Sequence, residues 1–196
     1  IWINIQSKLF PHGQPIRDDG PQTHLSKQGT PTFGGVLIIF SIIINTIFWT
    51  TEFSNFNYIL LLTLILFGSI GFYDDYQKVI FNKGISSKRK FFLQFFITIL
   101  LYFIIISNGY DLNNFYIPFF KNISIELCIF YFVIILFIII GSTNATNLTD
   151  GLDGLVSMPL IFVFLTFAIF AYILGNINFS DYLLVNYIPG SGEIVI

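Results

Sequence analysis

Five stretches of the chain carry no Asp, Glu, Lys or Arg: 28–51, 53–73, 91–110, 127–149 and 154–180. Each is rich in Ile, Leu and Phe. A helix rises about 1.5 Å per residue, so about 20 apolar residues cross a hydrocarbon core roughly 30 Å thick. The runs lack the apolar–polar alternation of lipid-facing barrel strands, and backbone groups in lipid must be paired internally. The pattern predicts helices near 34–51, 57–73, 91–107, 127–142 and 156–174. The expected fold is all-α, a polytopic membrane helical bundle with about five transmembrane helices in this chain.

Five spans make the loops alternate in side. Segments 1–33, 74–90 and 143–155 share one side, and 52–56, 108–126 and 175–196 share the other. Lys8, Arg17, Lys27, Lys78, Lys83, Lys88, Arg89 and Lys90 all fall on the first side, leaving Lys121 alone on the second. Basic residues mark the cytoplasmic side, so the first set of loops is expected to face the cytoplasm.

Composition agrees with the pattern. Of 196 residues, 55% are hydrophobic and 10% charged, against about a quarter charged in a soluble domain. The 25 Phe, 10 Tyr and 2 Trp are more apolar surface than a core of this size would hide without lipid taking a share. The net charge of −2 gives no basic excess that would point to nucleic acid. Cys128 is the single cysteine, which excludes an internal disulfide and a cysteine-based metal cluster. The chain starts at Ile1 without a signal-peptide pattern, and Glu193-Ile-Val-Ile breaks off as an apolar run begins. Both ends read as cut, so residues 1–196 are expected to be part of one integral membrane domain truncated at both ends.

The cytoplasmic loops also hold six of the eleven acids: Asp18, Asp19, Asp74, Asp75, Asp150 and Asp153. Orientation alone needs only Lys and Arg, so these carboxylates invite a chemical reading. Asp74-Asp75 follows the second apolar run and is expected to end that span. Adjacent carboxylates at a helix C-terminus repel each other and meet the negative end of the dipole, so a folded site needs a cation or Mg²⁺ to offset them. The plainer reading is a solvated helix end with Lys78 as counterion.

After the fourth run, Gly141-Ser-Thr-Asn-Ala-Thr-Asn-Leu-Thr-Asp-Gly-Leu-Asp-Gly154 sets Asn144 and Asn147 three apart, and Asp150 and Asp153 three apart. That spacing turns each pair to one face if the segment is helical, and the Asn side chains can both donate and accept toward sugar, base or phosphate. The alternative is a polar turn with capping Asp and Asn. The first loop contains five glycines and three prolines between 13 and 35, a shaped irregular loop in which Lys27 and Thr32 offer a cation and a hydroxyl. Their plainer roles are a snorkelling lysine and a helix-starting threonine.

Taken together, Gln14-Pro-Ile-Arg-Asp-Asp-Gly-Pro21, Gly29-Thr-Pro-Thr-Phe-Gly-Gly35, Gly71-Phe-Tyr-Asp-Asp-Tyr76 and Asn144 to Gly154 resemble the phospho-N-acetylmuramoyl-pentapeptide transferase family along essentially the whole chain. The Asp-Asp and Asp-Gly-Leu-Asp-Gly elements are shared with the wider superfamily of polyprenyl-phosphate sugar-1-phosphate transferases. The resemblance implies transfer of phospho-N-acetylmuramoyl-pentapeptide from UDP-N-acetylmuramoyl-pentapeptide to undecaprenyl phosphate with Mg²⁺, releasing UMP and forming the first lipid-linked peptidoglycan precursor. It implies an enzyme of the bacterial inner membrane, embedded in membrane lipid, with its active site on the cytoplasmic face; a homodimer is one assembly open to it, and the sequence does not choose an oligomeric state.

By the same resemblance, Asp74 and Asp75 belong to the catalytic centre, one of them as base or nucleophile. Lys27, Thr32, Lys78, Asn144, Asn147, Asp150 and Asp153 belong to substrate binding. The family's Mg²⁺-binding aspartate and late histidine-rich loop are not in this sequence, so residues 1–196 alone are expected to be inactive. Two other readings remain. A related N-acetylhexosamine-1-phosphate transferase would share the carboxylates but not need the first loop in this form. A non-enzymatic transporter or scaffold would set its charges along a route through the bilayer, whereas the five runs hold none.

Overall fold

A computed structural model of the chain describes residues 33–110, 112, 114–116, 124–127, 129–149 and 155–195. Helix α1 spans Gly34–Trp49, α2 Asn55–Phe81, α3 Ser87–Ser107, α4 Ile129–Thr149, α5 Ser157–Gly175 and α6 Ile177–Leu183, and a 3₁₀ turn follows at Ser191–Val195. Between α3 and α4 lies an antiparallel hairpin, β1 (Asn114–Tyr116) and β2 (Ser124–Glu126), in the register Asn114↔Glu126, Phe115↔Ile125 and Tyr116↔Ser124. It occupies the segment expected to be a plain loop.

Helices α2, α3, α4 and α5 are each long and apolar enough to cross a bilayer. Helix α1 is equally apolar, but its 16 residues reach only about 24 Å. The described residues bury only three apolar side chains, Phe33, Ile70 and Leu101, against six polar ones, Asn57, Asp74, Gln94, Thr98, Ser180 and Ser191. Phe137, Phe162, Phe164 and Phe167 meanwhile stand exposed on α4 and α5. Apolar outside with polar inside is the inverse of a water-soluble core and suits lipid as the surrounding solvent.

Two of the expected helix ends are corrected. Helix α2 was expected to stop at 73 but continues to Phe81, and α4 was expected to stop at 142 but continues to Thr149. Polar residues do not stop a helix when its own carbonyls satisfy them. Ser142 and Thr143 hydroxyls donate to the Ile139 carbonyl, the Asn144 amide donates to Ile140 and Thr149 donates to Ala145. The same device keeps Thr63 on α2 and Thr166 on α5 satisfied, through the carbonyls of Ile59 and Phe162. Helix α2 is stopped instead by Asn82 at φ 53°, a left-handed residue where helices commonly end. Helix α3 then begins behind Ser86, whose hydroxyl accepts from the Arg89 N–H at 3.4 Å.

The chain forms two compact units, one from residues up to 44 with 64–94, the other from 45–63 with 95 onward. In the first, Phe33 packs its ring 5.1 Å from that of Phe72, and Gly68 on α2 lies against Ile39 of α1. A side chain at Gly68 would collide with Ile39, the use of a small residue that lets membrane helices approach closely. In the second, Gly175 meets Gly192 backbone to backbone, and Ser191 Oγ donates to the Ala171 carbonyl at 3.1 Å. There too the Glu193 carboxylate accepts from the backbone N–H and the hydroxyl of Thr51, at 3.4 and 3.1 Å, clasping segments 142 residues apart.

Candidate active site

The extension of α2 changes the setting of Asp74 and Asp75. They stand two turns before the helix end rather than at it, beyond the reach of the terminal dipole. What offsets their charge is Lys78 on the next turn of the same helix. Its ammonium lies 2.8 Å from Asp74 Oδ2 and 3.0 Å from Asp75 Oδ1, using the i,i+4 and i,i+3 spacings at once.

The two carboxylates are not equivalent. Asp74 has 11% of its side chain exposed and Asp75 has 36%. Both oxygens of Asp74 are engaged, because Oδ1 accepts from the backbone N–H of Ile85 at 2.8 Å while Oδ2 holds Lys78. That bond folds the 82–86 connection back onto α2. Gly84 makes the fold possible: a Cβ there would lie 2.8 Å from Asp74 Oδ1 and 3.1 Å from Lys78 Cε. The Lys90 ammonium, on the first turn of α3, also acts electrostatically on Asp74. Asp75 contributes Oδ1 to Lys78 and has no other partner among the described residues.

Asp74, Asp75 and Lys78 are thus brought together as the sequence anticipated. Asn144 and Asn147 lie in the second compact unit, one turn apart on α4, the first half-buried and the second exposed. They are helix residues rather than loop residues. Lys27, Thr32, Asp150 and Asp153 lie outside the described residues. Gly84, Ile85 and Lys90 join the cluster without having been singled out from the sequence. The only hint was a glycine in a basic loop, because their contribution arises from a chain reversal that no local spacing encodes. A cleft of about 280 Å³ in the second unit is lined by Glu52, Phe53, Ser54, Gly175, Gly190, Gly192 and Glu193, none of them a site residue read from the sequence.

The donor set bears on a divalent cation. No group of three or more His, Cys, Asp or Glu among the described residues is placed to share a metal. Mg²⁺ does not need such a cage, since it is commonly held by one or two carboxylates together with substrate phosphates and water. Asp75, half-exposed and with one oxygen uncommitted to the described residues, fits that role; Asp74 already has a partner on each oxygen.

The sequence profile of glycosyl transferase family 4 matches residues 56–190, more than half of the chain. The chain belongs to glycosyl transferase family 4. The match takes in Asp74, Asp75, Lys78, Asn144, Asn147, Asp150 and Asp153 and leaves Lys27 and Thr32 outside it. Among family relatives, the phospho-N-acetylmuramoyl-pentapeptide-transferase of Rickettsia massiliae (strain Mtu5) is 44% identical over 202 residues, covering 100% of this chain and 55% of that protein. Proteins with the same name from Rickettsia prowazekii (strain Madrid E) and Rickettsia montanensis are 42% and 44% identical, again over all of this chain and 55% of their own lengths. These relatives bear out the resemblance read from the motifs. The chain spans about half the length of the curated relatives it matches.

Proposed function

We propose that this chain is part of a phospho-N-acetylmuramoyl-pentapeptide transferase, carrying phospho-N-acetylmuramoyl-pentapeptide from its UDP carrier to undecaprenyl phosphate. The observation that carries the reading is identity of 42–44% along the whole chain to relatives of that name. In the reaction an oxygen of the lipid phosphate attacks the sugar-bound phosphorus. The bond from that phosphorus to the bridging oxygen breaks, and UMP leaves with the electron pair.

The pyrophosphate and the lipid phosphate are both anionic, so the chemistry consists mainly of positioning and charge neutralisation. Lys78 supplies a fixed ammonium for the pyrophosphate, and Asp74 holds that ammonium in place while pinning the 82–86 connection. Asp75 is the carboxylate available to a divalent cation or to a proton of the reacting phosphate. A bound Mg²⁺ would supply neutralisation of charge on the phosphate oxygens. Lys27, Thr32, Asn144, Asn147, Asp150 and Asp153 are assigned to binding of the UDP-linked substrate, all on family resemblance.

The test is UMP release by the full-length protein containing this chain, given UDP-N-acetylmuramoyl-pentapeptide, undecaprenyl phosphate and Mg²⁺. Turnover with UDP-N-acetylglucosamine in place of the muramoyl donor would assign the chain to the sibling transferases instead.

The same proposal sets the site on the cytoplasmic face of the inner membrane, supported by the gathering of eight of nine cations on one set of loops. Single cysteines between 80 and 90, in a background lacking Cys128, are expected to resist an impermeant maleimide in intact cells and to react after lysis. Labelling from outside would reverse the orientation.

A further inference from the structure

Between Asp74 and Lys90 the chain carries five cations and two carboxylates, a net +3 within a protein whose total is −2. Lys78 is paired with the two aspartates and Lys90 acts on Asp74. Lys83, Lys88 and Arg89 remain, all exposed and without an ion-pair partner among the described residues. Two of these three sit in the first turn of α3 beside Lys90, with no acidic residue there. Cations at a helix N-terminus oppose its dipole and repel one another, an unfavourable arrangement that an external anion would relieve.

What surrounds the cations says where that anion lies. Ile80 and Phe81 at the end of α2 and Phe91 and Phe92 on the second turn of α3 are exposed, Phe81 to 62%. Both helices run directly into membrane-spanning sequence. Exposed apolar side chains beside lysine and arginine at the end of a span suit the bilayer interface, where apolar bodies enter the acyl boundary and cationic heads meet phosphates. A patch built for a soluble phosphate would have no use for exposed Phe81 beside it.

We infer that Lys83, Lys88 and Arg89, framed by Phe81 and Phe91, form a docking surface for anionic phospholipid headgroups at the α2–α3 connection. The bound lipid neutralises the N-terminus of α3 and so steadies the connection whose Ile85 N–H holds Asp74. The inference rests on charge and exposure and holds whatever reaction the protein catalyses.

Spin-labelled lipids test it directly. The full-length protein is reconstituted in phosphatidylcholine bilayers with trace labelled phosphatidylglycerol or labelled phosphatidylcholine, and the motionally restricted fraction of each is measured at low salt. Wild type is expected to favour the anionic label by about fivefold or more, the scale of one cation engaging a headgroup, with the preference shrinking as salt rises. K83Q/K88Q/R89Q is expected to bring the ratio close to one while leaving the restricted fraction of phosphatidylcholine unchanged, which reports an intact protein. If the triple variant does not insert, Lys83→Gln alone, in the exposed connection, is expected to lower the ratio measurably. An unchanged ratio in these variants overturns the inference. So does its loss on adding inorganic phosphate at matched ionic strength, which would make the patch a site for free phosphate.

Discussion

Asp75→Asn in the full-length protein is expected to lower turnover by about 10²–10³ while leaving the thermal midpoint of the detergent-solubilised protein within a few degrees of wild type. The magnitude is that of removing one electrostatic contact to a developing charge. The absence of a stability effect follows from the cluster: Lys78 keeps its 2.8 Å partner in Asp74, and the exposed Asp75 side chain loses one ion pair of small net worth. Asp74→Asn should behave differently. The amide oxygen can still accept from Ile85, but its NH₂ would face the Lys78 ammonium donor to donor, so turnover and stability fall together. Retained turnover in Asp75→Asn would return that carboxylate to a solvated helix face.

The second large effect is expected from a residue that touches no substrate in the proposed reaction. Gly84→Ala puts a methyl group 2.8 Å from Asp74 Oδ1, closer than real Cβ contacts come. The obstacle belongs to a carboxylate already held by one partner on each oxygen, not to the loose end of a side chain, so the connection rather than the carboxylate must move. The cost is the Ile85 N–H bond, a hydrogen bond to a charged group worth about 1.5–3 kcal/mol, with a largely buried carboxylate left short of a donor. Turnover is expected to drop at least tenfold and the thermal midpoint to fall by several degrees. Restored function in Gly84→Ala combined with Asp74→Asn would not be expected, because the amide occupies the same space. A Gly84→Ala protein with wild-type turnover and midpoint would show that the 82–86 connection does not govern the site.

The spans were legible because charge is excluded from lipid, so five uncharged runs announce themselves without alignment or periodicity. Their ends were harder to read. Polar residues from Ser142 to Thr149 look like a loop, yet each hydroxyl that bonds to a carbonyl three or four residues back lets the helix continue. Asp74 and Asp75 likewise look like a stop until Lys78 is counted as a partner on the next turn. The carboxylate pair and its lysine could be found by spacing because they share one helix. Gly84, Ile85 and Lys90 could not, since they reach Asp74 only after Asn82 reverses the chain, and the left-handed conformation of one Asn is not written in its neighbours.

The clasp between Thr51 and Glu193 carries a consequence for the order of biosynthesis. A ribosome adding about 5–20 residues per second needs roughly 7–30 s to go from Thr51 to Glu193, 142 positions later. Throughout that interval Thr51 has no Glu193 to accept its hydrogen bonds, although α1 and α2 on either side of it are complete well before it ends. The turn between these helices must therefore wait in a hydrated place, with water standing in for the carboxylate. Its closure by Glu193 is a late event in the maturation of the second unit, after α5 has crossed and brought Gly175 to meet Gly192. The Thr51 amide proton should exchange faster in nascent chains stalled before Glu193 than in chains extended past it.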